Sequence, residues 1–340
     1  MFTVVIPLFE KRGFIQRTLE SVYAQAIEPA AVPEILVVND GSTDGGDAIA
    51  KSQADPRVRV IDQPNRGVSA ARNAGIAAAG QPFVAFLDAD DRWRPGFLAR
   101  MRELIAAHPG ASLYGSGYET VRGDSAGRRH GIRGTDLLEG APAAADPAGP
   151  VDFFGAWDRE LVTNSSSIVV PKSAATEVGG FPEGVAHMED YLFWAKLALA
   201  GPVVLTAEPL SVYDVSVPGQ AVEYWQQAYR KRFDVLEFHR FLANELRHRP
   251  AADARGAERS FAGFARHRLR TAVLQRLYWG NFAAVDRLWR ELDLDGLGLG
   301  TATTAAAWVA RQPLARPPAA LALAVVRGVR EVLRGGGRAA

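Results

Sequence analysis

The sequence predicts an α/β fold, in which a mostly parallel central sheet is flanked by helices and followed by a C-terminal α-helical region. Three observations carry this. Four β-rich runs alternate with stretches of helical spacing between Thr3 and Asp91, the order of a parallel sheet with right-handed crossovers. The fourth run, Phe83-Val84-Ala85-Phe86-Leu87, is continuously apolar and stops at Asp88-Ala89-Asp90-Asp91. Such a run reads as a strand buried on both faces, with the acids just past its end. From about Gln220 the apolar residues recur at helical spacing almost throughout.

Thr3 to Phe9 is a strand expected to bend at Pro7. Phe14 to Ala26 places Ile15, Leu19, Val22, Tyr23 and Ala26 on one helical face. Glu34 to Val38 is the second strand, running into the cap-forming turn Asn39-Asp40-Gly41-Ser42-Thr43-Asp44 and a helix expected over Asp44 to Gln53. Arg57 to Ile61 is the third strand, and Val68 to Ala79 a helix of small residues. After the Phe83 strand the pattern predicts a helix over Pro95 to Ala107 and a strand over Ser112 to Thr120. Arg122 to Pro150 is rich in Gly, Ala and Pro without a sustained period, a surface loop where acceptor specificity would reside. Ser166 to Val170 is read as a strand, and Lys172 to Val178 as a helix stopped by Gly179-Gly180. An amphipathic helix over Glu189 to Ala200 follows, then short strands over Val203 to Thr206 and Leu210 to Val215. Beyond these, helices are expected at Ala221 to Leu246, Arg255 to Trp279, Phe282 to Leu292, Thr301 to Arg311 and Pro318 to Leu333. The change of pattern divides the chain into a catalytic domain, 1–217, and a helical region, 218–340.

The 340 residues carry a net charge of +1, which gives no electrostatic footprint for nucleic acid. The absence of cysteine excludes disulfides, thiolate zinc sites and a cysteine nucleophile. Lys11 and Arg12 follow the first apolar run instead of preceding it, so that run reads as a strand and not a signal peptide. No apolar stretch is long enough to span a bilayer. A cytoplasmic location is therefore expected. Ala319 to Leu333, with Arg327, Arg330 and Arg334, has the pattern of an interfacial helix that would dock on a membrane surface. Packing on its own domain is the more common use of such a face, and self-association is a third.

The chemistry concentrates at the strand ends, where open α/β sheets bind ligands. Clustered carboxylates such as Asp88, Asp90 and Asp91 repel one another unless a cation lies between them. Hard oxygen ligands there suit Mg²⁺ or Mn²⁺ shared with a diphosphate; a solvated Asp-rich turn is the plain alternative. Asp40, at the end of the second strand, is placed to accept hydrogen bonds from a nucleobase or ribose, while Ser42 and Asp44 are expected to cap the next helix. In Asn65-x-Gly67-x-x-x-Ala71-Arg72-Asn73-x-Gly75, Arg72 is a cation on a small-residue helix. It would meet a diphosphate, brace neighbouring acids, or be solvated. Glu189 and Asp190 open a helix, where the macrodipole favours negative charge, and a carboxylate in a partly desolvated cleft is also what deprotonating a hydroxyl needs.

Taken jointly and in order, VVNDGSTD, QPNRGVSAARNAG, FVAFLDADD, GGF and MEDYLFWAKLA resemble the motifs of the family-2 glycosyltransferases, with their Rossmann-like GT-A fold. The likeness runs over about residues 1–215. It implies transfer of a sugar, with inversion, from a nucleotide-diphospho-sugar (UDP-, GDP- or dTDP-linked) with the help of a divalent metal, Mg²⁺ or Mn²⁺. The acceptor would be a glycan, a lipid-linked glycan or a protein. It places Asp40 on the base or ribose, Asp88 near the nucleotide sugar and Asp90 on the metal. Pro7, Asn65 and Arg72 complete the expected donor-binding set. Asp190 becomes the general base, with Glu189 beside it. Two positions depart from the family pattern. Asn39 stands where the family often has Asp, and Ser216 stands where Tyr-Arg-x-His would place a histidine near the metal; His187 would be a spatial substitute, a lone surface histidine being the more common case. A nucleotidyltransferase would instead want a Gly-rich basic loop after the first strand, of which Lys11-Arg12-Gly13 is a poor version. A catalytically silent nucleotide-sugar-binding scaffold is the non-enzyme alternative.

Overall fold

The computed structural model describes residues 1–25, 33–122, 127–133, 136–138, 147–185, 187–216, 236–248, 257–278, 282–295, 297–300 and 303. Its contacts divide the chain into two units, Met1–Asp234 and Val235–Ala340. This division and the expected 217/218 boundary both lie at or within 217–235, outside the described residues.

The first unit is built on β1 (Phe2–Leu8), all seven of whose residues are buried. Parallel neighbours lie on both sides: β2 (Glu34–Asn39), itself paired to β3 (Val58–Asp62), and β4 (Phe83–Phe86). The crossovers are α1 (Ile15–Tyr23), α2 (Gly46–Lys51) and α3 (Val68–Ala78). Pro7 does not bend β1. It stays in register with Val38, and β4 pairs only as far as Val5. Val5 O accepts from Leu87 N on the β4 side, whereas Leu8 O accepts from Asp40 N on the β2 side. By that alternation Pro7 faces the β4 side two residues past the last pair, so its missing N–H leaves no ladder bond unmade.

The remaining strands are β5 (Arg92–Trp93), β6 (Leu113–Val121), β7 (Arg128–His130), β8 (Ala148–Pro150), β9 (Ile168–Pro171) and β10 (Val203–Asp214). One ten-stranded sheet runs β3-β2-β1-β4-β9-β6-β10-β5, with β7 on β6 and β8 on β10. β9 enters antiparallel between β4 and β6, while β10 runs parallel to β6. The helices are completed by α4 (Phe97–Ala107), α5 (Phe153–Arg159), α6 (Lys172–Glu177) and α7 (Glu189–Ala200). Three sequence expectations change here. The two strands expected at Val203–Thr206 and Leu210–Val215 are one, because β10 shifts register around Pro209 and continues. Ser165–Ser167 form a 3₁₀ turn before β9. The Arg122–Pro150 stretch contributes β7 and β8 to the sheet.

The small residues of α3 have a packing reason. A Cβ built on Gly75 would lie 2.3 Å from Val5 Cγ1, so the helix rides directly on the central strand. The core beneath α1 and α4 gathers Ile15, Leu19, Val22, Phe97, Leu98 and Met101 against β1 and β2.

In the second unit the described helices are α8 (Leu236–His248), α9 (Ala257–Tyr278) and α10 (Phe282–Leu292). Phe238 and Leu242 from α8, Phe261 and Leu269 from α9, and Leu288 and Trp289 from α10 are buried. The helix expected over Ala221–Leu246 begins outside the described residues, and those at Thr301–Arg311 and Pro318–Leu333 lie outside them but for Thr303. Among the described residues no helix is long and apolar enough to cross a membrane.

Overpacking a close helix–strand contact costs about 1–3 kcal/mol. Gly75→Ala is therefore expected to lower the urea midpoint by that equivalent with an unchanged slope, measured by far-UV circular dichroism.

Candidate active site

The apolar run of β4 ends as the sequence predicts, and the three acids that follow meet three different environments. Asp91 N–H donates to Asp88 O at 3.0 Å and closes the turn. Ser166 Oγ accepts from Asp88 N–H at 3.1 Å and donates to Asp91 Oδ2, while Trp93 Nε1 donates to Ser166 O at 2.6 Å. Asp91 is 2% exposed. Burial, with Asp90 and Asp88 nearby, pushes its carboxyl well above the usual range, so the neutral acid is favoured there. Asp90 Oδ2 instead lies 3.0 Å from Lys11 Nζ. Helix α1 braces the same turn: Arg17 Nη2 donates to Asp90 O at 2.9 Å, and Thr18 Oγ1 lies 2.8 Å from both Ala89 O and Asp91 O.

Asp88 belongs to a second group, centred on Arg72. The guanidinium is buried, with Nη2 at 2.8 Å from Asp88 Oδ1 and Nη1 at 3.2 Å from Glu189 Oε1. Burial alone would lower its pKa, but Asp88 and Glu189 outweigh that and raise it. Arg72 also lies over the Phe181 ring, 5.0 Å from its centroid. Phe181 stacks on Phe193 at 4.0 Å and meets Phe86 edge-on at 5.2 Å. The turn that carries Phe181 is held by Asn73, which donates to Phe181 O and accepts from Phe181 N–H, both at 2.8 Å. Gly180 sits at φ +67°, where a Cβ would fall 2.5 Å from Asn73 Oδ1. Glycine is required at that point of the clasp.

Asp190 is one residue into α7, partly buried, and its Oδ1 accepts from Tyr191 N–H at 2.8 Å. Burial, then the neighbouring Glu189 charge, pushes its carboxyl up to about 8, against the pull of Arg72. Tyr191 and Trp157 pack edge to face at 5.1 Å beside it.

Asp40 stands at the end of β2, as expected, but its oxygens are engaged. Oδ1 accepts from Gln63 Nε2 at 2.7 Å and Arg66 N–H at 2.9 Å, and Oδ2 accepts from Gly67 N–H at 2.8 Å. It thus fixes the loop that displays the exposed Asn65. Asn39 has its own reason to be an amide: Nδ2 donates to Asp62 Oδ1 at 2.8 Å, and a second carboxylate there would repel the first. Asp44 does not cap α2, since Gly45 holds the cap position without a side-chain bond; Asp44, one residue earlier, accepts at Oδ1 from Gly46 N–H at 2.9 Å. Ser42 does not cap; its Oγ accepts from Glu10 N–H at 3.2 Å and lies 3.3 Å from Leu8 O. Pro7 is buried near the end of β1.

The structure therefore brings Arg72, Asp88, Glu189 and Asp190 into one electrostatic group, sets Asp90 against Lys11, and ties Asp40 at the end of β2 to the loop after β3 that carries Asn65. Sequence reading gave no role to Lys11, Ser166 or Asn73, and it grouped Asp91 with Asp88 and Asp90 without foreseeing its burial. Lys11 had left a signal in the Lys11-Arg12-Gly13 run after the first strand, and Asn73 in the motif that carries Arg72. Asp90 is the residue expected to hold a metal. Asp90 already carries the Lys11 ammonium. Ser216, in the expected histidine position, donates to Asp214 Oδ1 at 2.6 Å. Among the described residues no group of three His, Cys, Asp or Glu is arranged to hold an ion.

Removing one partner from a buried ionic group costs about 3–5 kcal/mol. Arg72→Met is expected to lower unfolding stability by an amount of that order, read by chemical denaturation, whereas Arg66→Met, which breaks only an exposed pair with Glu183, shifts it by less than about 1 kcal/mol.

Residues 3–146 match the family described as Glycosyl transferase family 2. EpsJ of Bacillus subtilis, named an uncharacterized glycosyltransferase, is 35% identical over 105 residues, which is 30% of this chain and 30% of that protein. The succinoglycan biosynthesis protein ExoO of Rhizobium meliloti is 42% identical over 102 residues, 30% of this chain and 28% of that one. The matched segment thus spans under a third of the length of these curated relatives. Among solved structures, S. aureus TarS in complex with UDP-GlcNAc aligns with a TM-score of 0.66 at 18% identity, covering 98% of this chain and 92% of that one. The mannosyltransferase PcManGT of Pyrobaculum calidifontis, in complex with GDP-Man and Mn²⁺, gives 0.55 at 17% identity, covering 97% and 85%. The fold is that of the GT-A structures, and over residues 3–146 the sequence is that of a glycosyl transferase family 2 segment.

Proposed function

We propose that the chain transfers a sugar, with inversion, from a nucleotide-diphospho-sugar to an acceptor hydroxyl in polysaccharide or glycoconjugate biosynthesis. The observation that carries this is the pair at the start of α7. Glu189 is neutralised by Arg72, while Asp190 beside it has a carboxyl pushed up to about 8, close to neutral pH. A general base works best with a pKa near the operating pH. The family match, and the naming of ExoO for succinoglycan biosynthesis, support the reaction class. Neighbours solved with UDP-GlcNAc and with GDP-Man and Mn²⁺ support a nucleotide-diphospho-sugar donor. In family members of this fold a divalent ion, Mg²⁺ or Mn²⁺, supplies Lewis-acid stabilisation of the departing diphosphate. Asp90, which meets the Lys11 ammonium, is the residue that would hold such an ion.

The roles of the chain's own residues follow. The loop fixed by Asp40, with Asn65 at its tip and Pro7 beside it, receives the nucleotide. Asp88, oriented by Arg72, faces the donor sugar. Asp190 takes the proton from the acceptor hydroxyl, which attacks the anomeric carbon from the face opposite the diphosphate. The glycosidic bond to the diphosphate breaks as the new one forms, with no covalent enzyme intermediate. Glu189 sets the electrostatics of the base. The helical region is assigned acceptor recruitment, membrane-surface docking or self-association, and the enzyme a cytoplasmic location at the membrane periphery.

General-base assistance contributes about 10²–10⁴-fold. Asp190→Asn is expected to lower turnover by that factor while donor affinity, measured by calorimetry, stays within about twofold of wild type, because the base meets the acceptor. Wild-type turnover should rise with pH through about 8, as the Asp190 carboxyl loses its proton. Glu189→Gln removes the like charge that holds this value up, so the rising limb should move to lower pH. The assignment fails if Glu189→Gln is the inactive variant, or if the limb does not move. Release of nucleoside diphosphate, and not pyrophosphate, distinguishes sugar transfer from nucleotidyl transfer.

A further inference from the structure

The cation against Asp90 is built in, not adventitious. Lys11 lies in the segment between β1 and α1, and that segment is tied on both sides. Lys11 O accepts from Phe14 N–H at 3.0 Å and Ile15 N–H at 3.1 Å, fixing it to the start of α1. Arg12 N–H donates to Asp44 Oδ2 at 2.7 Å, and Glu10 Oε1 accepts from Thr43 N–H at 2.7 Å, fixing it to the turn after β2. The Lys11 side chain is 19% exposed and that of Asp90 10%. An ammonium has three donors. One is directed at Asp90, which leaves the others for an incoming anion. Arg17 adds a second cation, with Nη2 at 2.9 Å from Asp90 O and Nη1 at 3.6 Å from Asp214 Oδ2. Ser216, at the position expected to hold a histidine, is turned onto Asp214 instead.

We propose that Lys11 is a donor-binding residue whose ammonium, held by Asp90, contacts the diphosphate and neutralises its charge as the sugar departs, in the place where a divalent ion is expected. The inference rests on the nucleotide-diphospho-sugar reading above. Lysine binds phosphate as a point charge, and that is the requirement at a leaving diphosphate. The consequence is donor binding that survives removal of metal.

The test is calorimetric titration of the full chain with UDP, GDP and dTDP, in EDTA and in Mn²⁺, for wild type, Lys11→Met, Lys11→Arg and Asp90→Asn. A charge-assisted hydrogen bond is worth about 10- to 100-fold in affinity. Wild type is expected to bind one of the three in EDTA. Lys11→Met should lose that factor in EDTA and regain it in Mn²⁺, because Asp90 no longer faces the ammonium. Lys11→Arg should stay within about tenfold of wild type. Asp90→Asn should keep metal-free binding and lose any gain from Mn²⁺. The proposal is overturned if Lys11→Met equals wild type in EDTA, or if wild type binds only with Mn²⁺. Folded wild type that binds no nucleoside diphosphate in either condition overturns the donor reading itself, and Lys11's role with it.

Discussion

Arg72 places a permanent positive charge where only 3% of the residue meets solvent. An unpaired cation at such a depth costs several kcal/mol, so its neighbours are constrained. Asp88 must come off the end of β4 pointing at α3, and Glu189 must open α7 at the same spot. Three elements from distant parts of the chain are thereby fixed at one point. The Phe181 ring beneath the guanidinium adds a fourth. A ligand arriving at Asp88 meets a carboxylate whose orientation is set before binding, and preorganisation of this kind reduces reorganisation at the moment of reaction.

Around that point the protein sorts its carboxylates by environment. Glu189 and Asp88 share a guanidinium, Asp90 has an ammonium, Asp91 is buried against a serine hydroxyl, and Asp190 is raised beside a like charge. Chemically similar side chains within short reach are thus given different partners, and burial raises the pKa of two of them, Asp91 and Asp190. Divergence of that kind is how one site assigns an acid, a base and a binding group among carboxylates. Ser166 is central to the sorting, because one hydroxyl orients both the Asp88 backbone and the Asp91 carboxyl.

The legible part of the sequence was what local pattern encodes. The continuous apolar runs of β1, β2 and β4 announce strands covered on both faces. The small residues of α3 announce close approach, realised at Gly75 against Val5. The acids at the end of β4 and the start of α7 were visible because carboxylates there interrupt apolar patterning. The illegible part depends on partners far away in sequence. Asn73 meets Phe181 across 108 positions, and Ser166 meets Asp91 across 75. No periodicity marks such residues. The gap between Thr206 and Leu210 reads as the end of one strand and the start of another, yet β10 crosses it with register shifts on either side of Pro209. The two-residue β5 is too short to leave a pattern of its own.

The antiparallel entry of β9 has a consequence for biogenesis. The strands β3, β2, β1 and β4 all lie within the first 86 residues and can pair as a parallel unit while the rest of the chain is still being synthesised. Until Ile168–Pro171 emerges, however, the outer side of β4 is an open edge, apolar and unpaired. A nascent chain at that stage presents a flat adhesive strand, the usual starting point for misassembly between neighbouring ribosomal products. Closure of that edge brings Ser166 onto the acid turn, so the residues that finish the sheet also set the carboxylates. Truncated translation products lacking β9 would then be both catalytically incomplete and prone to aggregate, which gives quality control a single structural event to monitor.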